Sequence, residues 1–214
     1  MEDKSEMRLM SDLESELDIE IFKKFVTPYY QPSNKPLVMC VGAQSPDEGT
    51  AIRRFHTQQY RIKGNDVKVA ACNIRDGIGS MLQRLNSYDS FIFNHFAGDA
   101  RTNFPYLIAI SEMGENEERN EFDFVYIRNP DLIGLKDWAA IYSTALEMTS
   151  KEGVVVTLIR KEDNKEYSDL LEMLNDWQIK PVFSGETGIS LKFDILFFED
   201  FHHTIGIFKS NKKE

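Results

Sequence analysis

Polar residues and one glycine lie at or shortly after the ends of short apolar runs in this sequence, and their types suit the chemistry of ligand binding. Nine residues form the candidate set: Gly42, Ala43, Gln44, Asn73, Ile74, Asp99, Ala100, Asn129 and Asp131. Amide side chains donate and accept hydrogen bonds, carboxylates accept them, and glycine lets a ligand approach the backbone closely. This set favours the binding of a small polar ligand and carries no strong signature of a catalytic nucleophile.

Short apolar runs that predict buried strands alternate with amphipathic patterns that predict helices. The predicted strands are Leu37–Val41, Val67–Ile74, Ser90–Phe96, Phe122–Ile127 and Val154–Ile159. The predicted helices are Ser45–Tyr60, Gly77–Leu85, Trp138–Met148 with Gly153 as its stop, and Lys165–Trp177. Ser190–Phe198 and Thr204–Phe208 then predict an antiparallel hairpin. The alternation predicts a doubly wound α/β fold, with a mostly parallel seven-stranded sheet, a C-terminal antiparallel hairpin and an N-terminal helical extension.

The N-terminal extension and a linker are predicted over residues 1–35, and the α/β domain over residues 36–214. Apolar residues recur every four positions in the extension, as on one face of a helix: Leu9, Leu13, Leu17, Ile21 and Phe25. The stretch Thr27–Pro32 breaks this pattern with two prolines. Two roles stay open for the extension, which are packing on the main domain and covering a ligand site.

The formal net charge of −10 narrows the classes of partner, because an acidic protein repels polyphosphate at long range. A nucleic-acid partner is therefore disfavoured.

The two cysteines, Cys40 and Cys72, are too few for a disulfide framework. The sequence has no apolar run long enough to span a membrane and no secretion signal at Met1–Met10, so no membrane partner is expected and the expected compartment is the cytoplasm. His202 and His203 are predicted to lie in a solvated turn, and no metal site is expected.

The position of the candidate residues follows from the predicted sheet. In an open parallel sheet, ligands bind beyond the carboxyl ends of the strands, at the point where the strand order reverses. The segments at those carboxyl ends, which include the nine candidate residues, are Val41–Gln44, Asn73–Arg75, Gly98–Ala100, Arg128–Asp131 and Arg160–Lys161. They are therefore predicted to gather along one edge of the sheet.

The strand layout and the strand ends together resemble the class I S-adenosylmethionine-dependent methyltransferases. Cys40–Pro46 occupies the place of that family's acidic-x-Gly-x-Gly-x-Gly loop, and Val69–Ile74 occupies the place of its second strand. Ala97–Ala100 resembles the family's Gly-Asp-Ala segment, and Phe122–Ile127 resembles its fourth strand. The resemblance covers residues 36–209 and implies S-adenosylmethionine as the cofactor.

The resemblance also implies roles for the candidate residues. Those implied to bind the cofactor are Gly42, Ala43 and Gln44 in the loop, Asn73 and Ile74 beside the ribose, and Asp99 and Ala100 beside the adenine. Asn129 and Asp131 are the candidates for contact with the substrate, because Asn129-Pro130 partly resembles the Asn-Pro-Pro-aromatic segment of methyltransferases that act on exocyclic amines. An Asn-Pro pair also commonly starts a turn, and Asp99 equally suits a turn or a helix cap.

The departures from the family's pattern keep two functions open. Gln44 and Pro46 stand in place of two glycines, Cys40 in place of the loop acid, and Asn73 in place of the ribose-binding acid. One function is a methyltransferase that acts on a small molecule or a protein. The other is a catalytically inactive methyltransferase-like protein that acts as a binding or interaction module. A dinucleotide-dependent oxidoreductase fits less well, because the loop has a single glycine.

Overall fold

Strand β1, Leu37–Val41, lies inside the sheet because all five of its residues are apolar and buried. This computed structural model describes residues 15–41, 47–73, 93–97, 121–128, 130, 132, 134–189 and 203–210, with residues 47, 71–73 and 93–97 described by their backbone. The other strands are β2 Lys68–Asn73, β3 Phe93–Ala97, β4 Phe122–Arg128, β5 Thr149–Arg160, β6 Phe183–Glu186 and β7 His203–Phe208. The helices are α1 at residues 15–21, α2 Asp47–Tyr60, α3 Leu135–Glu147 and α4 Asn164–Asp176.

The strands form one sheet in the order β3-β2-β1-β4-β5-β7-β6. Neighbouring strands from β3 to β5 are parallel, and β7 runs antiparallel to both β5 and β6. The prediction of a mostly parallel sheet with antiparallel C-terminal strands is therefore confirmed. The chain places β2 and β3 on one side of β1 and β4 and β5 on the other, so the strand order reverses between β1 and β4.

The described antiparallel partner of β7 is a segment that the sequence pattern left unassigned. β6, Phe183–Glu186, pairs with β7 from Phe183↔Ile207 to Glu186↔Thr204. Three of its four residues are small or charged, namely Ser184, Gly185 and Glu186, so it lacks the apolar alternation that predicts a strand. The predicted partner Ser190–Phe198 and the predicted helix Gly77–Leu85 lie outside the described residues.

Alternating residues of the central strands point to opposite faces of the sheet, and helices cover both faces. On one face, α3 and α4 pack against Leu37, Met39 and Val41 of β1. On the other face, the N-terminal segment and α2 pack against Val38 and Cys40. We call these the α3–α4 face and the α1–α2 face. Burial from both sides explains why the strands read as continuous apolar runs.

The N-terminal segment is part of the α1–α2 face. After α1 the chain continues through a π-helical turn, Phe22–Val26, and a short 3-10 turn, Thr27–Tyr29. The ring of Phe22 is fully buried, and its centroid lies 5.1–5.5 Å from those of three aromatic residues of α2 and β4: Phe55, Phe124 and Tyr126. Of the two roles that the sequence left open, these residues perform the packing role.

β4 and β5 approach each other closely at the amino edge of the sheet, where the parallel strands begin. Gly153 does not stop a helix as predicted, because α3 ends at Glu147 and Gly153 lies inside β5. A Cβ at residue 153 would lie 2.7 Å from the carbonyl oxygen of Asp123, where the register between the two strands shifts.

The Asp123 carboxylate accepts hydrogen bonds from the Leu37 amide at 2.8 Å and the Ser33 hydroxyl at 3.2 Å. This carboxylate therefore ties the start of β1 to β4.

His56 of α2 is fully buried within the aromatic residues of the α1–α2 face. Its Nδ1 lies 2.8 Å from the Ile52 carbonyl oxygen, which accepts, so Nδ1 carries the proton. Its Nε2 then accepts from the Tyr30 hydroxyl at 2.7 Å. Burial lowers the pKa of His56 to about 4. The fold therefore holds this imidazole in its neutral form.

The free energy of unfolding is expected to fall as the pH drops from about 6.5 towards about 4, because the unfolded chain binds a proton at His56 in this range and the folded chain does not. The contribution is fully present above the unfolded pKa and is lost as the pH falls through the folded value. One such histidine adds a slope of up to about 1.4 kcal/mol per pH unit. Urea unfolding across this range should give a shallower slope for His56→Gln than for the wild type. Equal slopes would show that His56 is protonated in the folded chain as well.

Gly206 of β7 lies beneath Tyr167 of α4, where a side chain has no room. A Cβ at residue 206 would overlap the Tyr167 hydroxyl and lie 3.0 Å from the Thr157 Cγ2 atom. We expect Gly206→Ala to lower the free energy of unfolding by about 1–3 kcal/mol, the usual cost of overpacking a core. Tyr167→Phe removes the obstructing hydroxyl, so the double variant should recover most of this loss.

The matched control for this prediction is Gly185→Ala in the neighbouring strand β6. Its Cβ would lie 3.5 Å from the Phe183 ring, an ordinary contact distance, so little stability should be lost. Urea unfolding of the single and double variants gives the coupling between residues 167 and 206. A loss in Gly206→Ala that persists unchanged beside Tyr167→Phe would show that the hydroxyl is not the obstacle.

Candidate functional site

The carboxyl ends of β1, β2, β3 and β4 lie side by side at one edge of the sheet, which we call the carboxyl edge. β1 is paired with β2 through Val41↔Cys72 and with β4 through Val41↔Ile127. Asn73, the last residue of β2, is paired with Ala97, the last residue of β3. Because the strand order reverses between β1 and β4, this edge is where an open parallel sheet binds ligands.

The structure places one of the nine predicted site residues. Asn73 ends β2 at the carboxyl edge, as predicted, with its backbone in the sheet. The other eight lie outside the described residues: Gly42, Ala43, Gln44, Ile74, Asp99, Ala100, Asn129 and Asp131. Their roles stay predictions from the sequence.

A group of charged residues whose pairing the sequence did not predict lies at the same edge. Arg128 ends β4, and its Nε lies 3.3 Å from Oδ2 of Asp18 on α1. Its Nη1 lies 3.9 Å from Oε1 of Glu48 in the first turn of α2. The Asp18 and Glu48 side chains are 2% and 3% exposed, and that of Arg128 is 12% exposed. We call these residues the Asp18–Glu48–Arg128 cluster.

Tyr126 of β4 supports the cluster from within the core. Its hydroxyl donates a hydrogen bond to Oδ2 of Asp18 at 2.9 Å. Burial, and then the negative charge of Asp18, hold the pKa of Tyr126 well above its usual value, so the hydroxyl stays a donor. Buried charges are tolerated when they are paired and hydrogen-bonded, and here the pairing joins α1, α2 and the end of β4. The cluster therefore fixes these three elements to one another at the strand-order reversal.

The sequence alone does not predict the cluster, because its members come from three separate elements. Arg128 did carry a signal, since it is a charged residue at the end of an apolar strand. Asp18 stands between two buried apolar residues, Leu17 and Ile19, and its partner depends on where α1 packs. Deducing the pair would have required the position of α1 on the sheet.

His203 lies at the carboxyl edge in a buried position, so the prediction of a solvated turn at this residue is wrong. It begins β7 opposite Arg160 of β5 and is 4% exposed. Burial, and then the positive charges of Arg128 and Arg160, lower the pKa of His203 to about 4. Its imidazole is therefore neutral at neutral pH. Within the described ranges, no group of three or more His, Cys, Asp or Glu residues is placed to hold a metal ion.

A surface pocket of about 350 Å³ lies at the opposite, amino edge of the sheet, between the end of α3 and the residues that follow β7. Its lining includes Glu147, Lys180 and Lys209 and does not include Asn73 or the Asp18–Glu48–Arg128 cluster. This pocket is therefore separate from the carboxyl edge. Among the helices of the described residues, none has the length and apolar character needed to cross a membrane.

Comparisons with known proteins bear on the fold. No protein-family model matches the sequence, and no curated protein matches it. An S-adenosylmethionine-dependent methyltransferase from Aquifex aeolicus matches with a TM-score of 0.58 at 11% identity, over 97% of this chain and 98% of that chain. The CcbJ methyltransferase from Streptomyces caelestis matches with a TM-score of 0.58 at 9% identity, over 90% and 89%. Fibrillarin from Aeropyrum pernix, solved with natively bound S-adenosylmethionine, matches with a TM-score of 0.53 at 13% identity, over 81% and 66%.

These similarities identify the class of fold. Identities of 9–13% carry information about the fold and not about the activity. The chain therefore has the Rossmann-like fold of the class I S-adenosylmethionine-dependent methyltransferases, and the predicted resemblance in fold is confirmed.

Arg128→Gln is expected to lower the free energy of unfolding by about 3–5 kcal/mol, because it leaves two buried carboxylates without their guanidinium. Arg160→Gln is the matched control at the end of the neighbouring strand β5. The Arg160 side chain is 51% exposed and pairs with the exposed Glu162, so the control should lose less than about 1 kcal/mol. Urea unfolding at neutral pH measures both variants. Equal losses would contradict a special role for the buried cluster.

Proposed function

We propose that this chain binds S-adenosylmethionine at the carboxyl edge and transfers its methyl group to a small molecule or a protein. The observation that carries the proposal is the strand order, with five parallel strands that reverse between β1 and β4 and end in antiparallel strands. Two solved methyltransferases and a fibrillarin with bound S-adenosylmethionine share this fold over 81–97% of the chain. Ligands of such sheets bind at the strand-order reversal.

The residues at the carboxyl edge fit the cofactor through hydrogen bonding. Because the ends of β1 and β2 are paired neighbours, one ligand can contact both. Asn73 at the end of β2 would bond to the ribose hydroxyls through an amide that both donates and accepts. We assign the remaining contacts to residues that follow the strand ends in the sequence: Gly42, Ala43, Gln44, Ile74, Asp99 and Ala100.

The bound cofactor would supply a methyl group that is already activated on a sulfonium. The protein's share of the reaction is then to align the acceptor and exclude water. We assign the acceptor contacts to Asn129 and Asp131, which follow β4 in the sequence. The Asn129 amide oxygen would accept a hydrogen bond from a substrate amine, and the Asp131 carboxylate would accept a hydrogen bond or a proton. The net charge of −10 disfavours a nucleic-acid acceptor.

A second candidate function, a methyltransferase-like binding module without catalysis, is supported by Cys40. This residue stands where the family's loop begins with an acid, and it is 1% exposed within the apolar core of the α1–α2 face. A buried thiol cannot replace a carboxylate as a charged acceptor for a ligand amine. Together with Asn73, it exchanges two charged acceptors for neutral groups, whose hydrogen bonds are weaker.

Titration calorimetry with S-adenosylhomocysteine distinguishes the two candidates. For a methyltransferase we expect micromolar binding, weakened about tenfold or more in Asp99→Ala because a hydrogen bond to the ligand is lost. Asp169→Ala makes the same change at an exposed position of α4 and should bind as the wild type does. No heat and no thermal stabilisation at millimolar ligand would contradict the methyltransferase and favour the binding module.

A further inference from the structure

Asp18 joins the N-terminal segment to the strand-order reversal through contacts with two residues of β4. Its Oδ2 atom lies 3.3 Å from Nε of Arg128 and accepts the Tyr126 hydroxyl at 2.9 Å. The side chain is 2% exposed, and its neighbours Leu17 and Ile19 are core residues. A carboxylate buried this deeply, with these two contacts on β4, is held in one position relative to that strand.

Stability alone does not explain why a charge is buried here. Apolar residues of similar volume often replace a buried ion pair without loss of stability. The N-terminal segment is already anchored by Phe22, whose ring packs on α2 and β4. The main contribution expected of the buried pair is therefore to geometry, because an ion pair specifies where its two partners lie.

Arg128 lies where the position of Asp18 can affect the carboxyl edge. It ends β4 at the reversal and directly precedes Asn129 in the sequence. Its guanidinium also faces Glu48 in the first turn of α2 at 3.9 Å. Glu48 lies in the first turn of α2, the element that follows β1 in the sequence, so this contact bears on where α2 begins relative to the ends of β1 and β4.

We propose that Asp18 is a positioning residue of the cofactor site, acting through Arg128 on the placement of α2 relative to the ends of β1 and β4. This proposal rests on the proposed S-adenosylmethionine function. Small misplacements of binding groups weaken binding and catalysis strongly, even when they originate away from the ligand. Removal of the Asp18 charge should therefore lower the affinity for the ligand by more than a comparable change elsewhere on α1 does.

The test compares the affinity of the wild type, Asp18→Asn and Glu16→Gln for S-adenosylhomocysteine by titration calorimetry. Asp18→Asn keeps an oxygen for the Tyr126 hydroxyl and removes the charge that pairs with Arg128. We expect about a tenfold loss of affinity in this variant. Glu16→Gln is the matched control, because it makes the same charge change on α1 and removes an ion pair to Arg54 of α2 that is 38–40% exposed. Its affinity should equal that of the wild type.

A measurement without ligand reports on the Arg128 side chain directly. In the wild type, the Nε–H signal of Arg128 in ¹⁵N NMR should exchange slowly because Nε is buried within 3.3 Å of the Asp18 carboxylate. The signal should shift and exchange faster in Asp18→Asn and stay unchanged in Glu16→Gln. Arg128→Lys assigns the signal by its loss. This variant should also bind the ligand more weakly, because lysine lacks the planar guanidinium.

Each outcome decides between the proposals. Wild-type affinity in Asp18→Asn, or equal losses in Asp18→Asn and Glu16→Gln, would overturn the positioning role while the proposed function stands. A wild type that does not bind S-adenosylhomocysteine would contradict the proposed function, and the positioning role would fall with it. If Asp18→Asn does not fold, Arg128→Lys takes its place, and unchanged affinity in that variant overturns the proposal.

Discussion

Burial of β1 on both of its faces is the constraint on which the rest of the structure depends. Five consecutive buried residues require a layer of helices on each side of the sheet. The helices α3 and α4 form one layer, and α2 shares the other with the N-terminal segment. Because that segment completes the core, its position on the sheet is fixed. The fixed position carries Asp18 to the carboxyl edge, where it meets Arg128.

The fold could be predicted where burial is complete and could not where it is partial. β1 and the buried part of β5 are apolar runs that a sequence pattern detects. The first residues of β5, Thr149–Gly153, are mostly polar, and their place in the sheet is fixed by pairing with β4. Gly153 has the same appearance in a sequence whether it stops a helix or admits a neighbouring strand. β6 is short and partly exposed, so its pairing with β7 decides its conformation.

The site could be predicted to the extent that it is local to the strand ends. Asn73 was identified because it follows an apolar run, and the structure places it at the carboxyl edge. His203 was misassigned because two adjacent histidines beside acids are usually exposed, whereas the antiparallel direction of β7 brings its first residue to the carboxyl edge. The Asp18–Glu48–Arg128 cluster depends on three elements meeting, which no local pattern encodes. Residue type and position thus identified the residue that ends β2 and missed the buried charges of the same edge.

Under the proposed function, the strength of ligand binding at the carboxyl edge would depend on what replaces the acids of the methyltransferase pattern. A hydrogen bond to a neutral group contributes about 0.5–1.5 kcal/mol, and one to a charged group about 1.5–3 kcal/mol. Under the proposed function, the exchange of two acids for Cys40 and Asn73 would weaken the binding of the cofactor. Among the described residues, the buried acids of this edge are Asp18 and Glu48, and both face Arg128. These acids join α1 and α2 to the end of β4, so under the proposed function they would act by positioning the elements of the site and not by contact with the ligand.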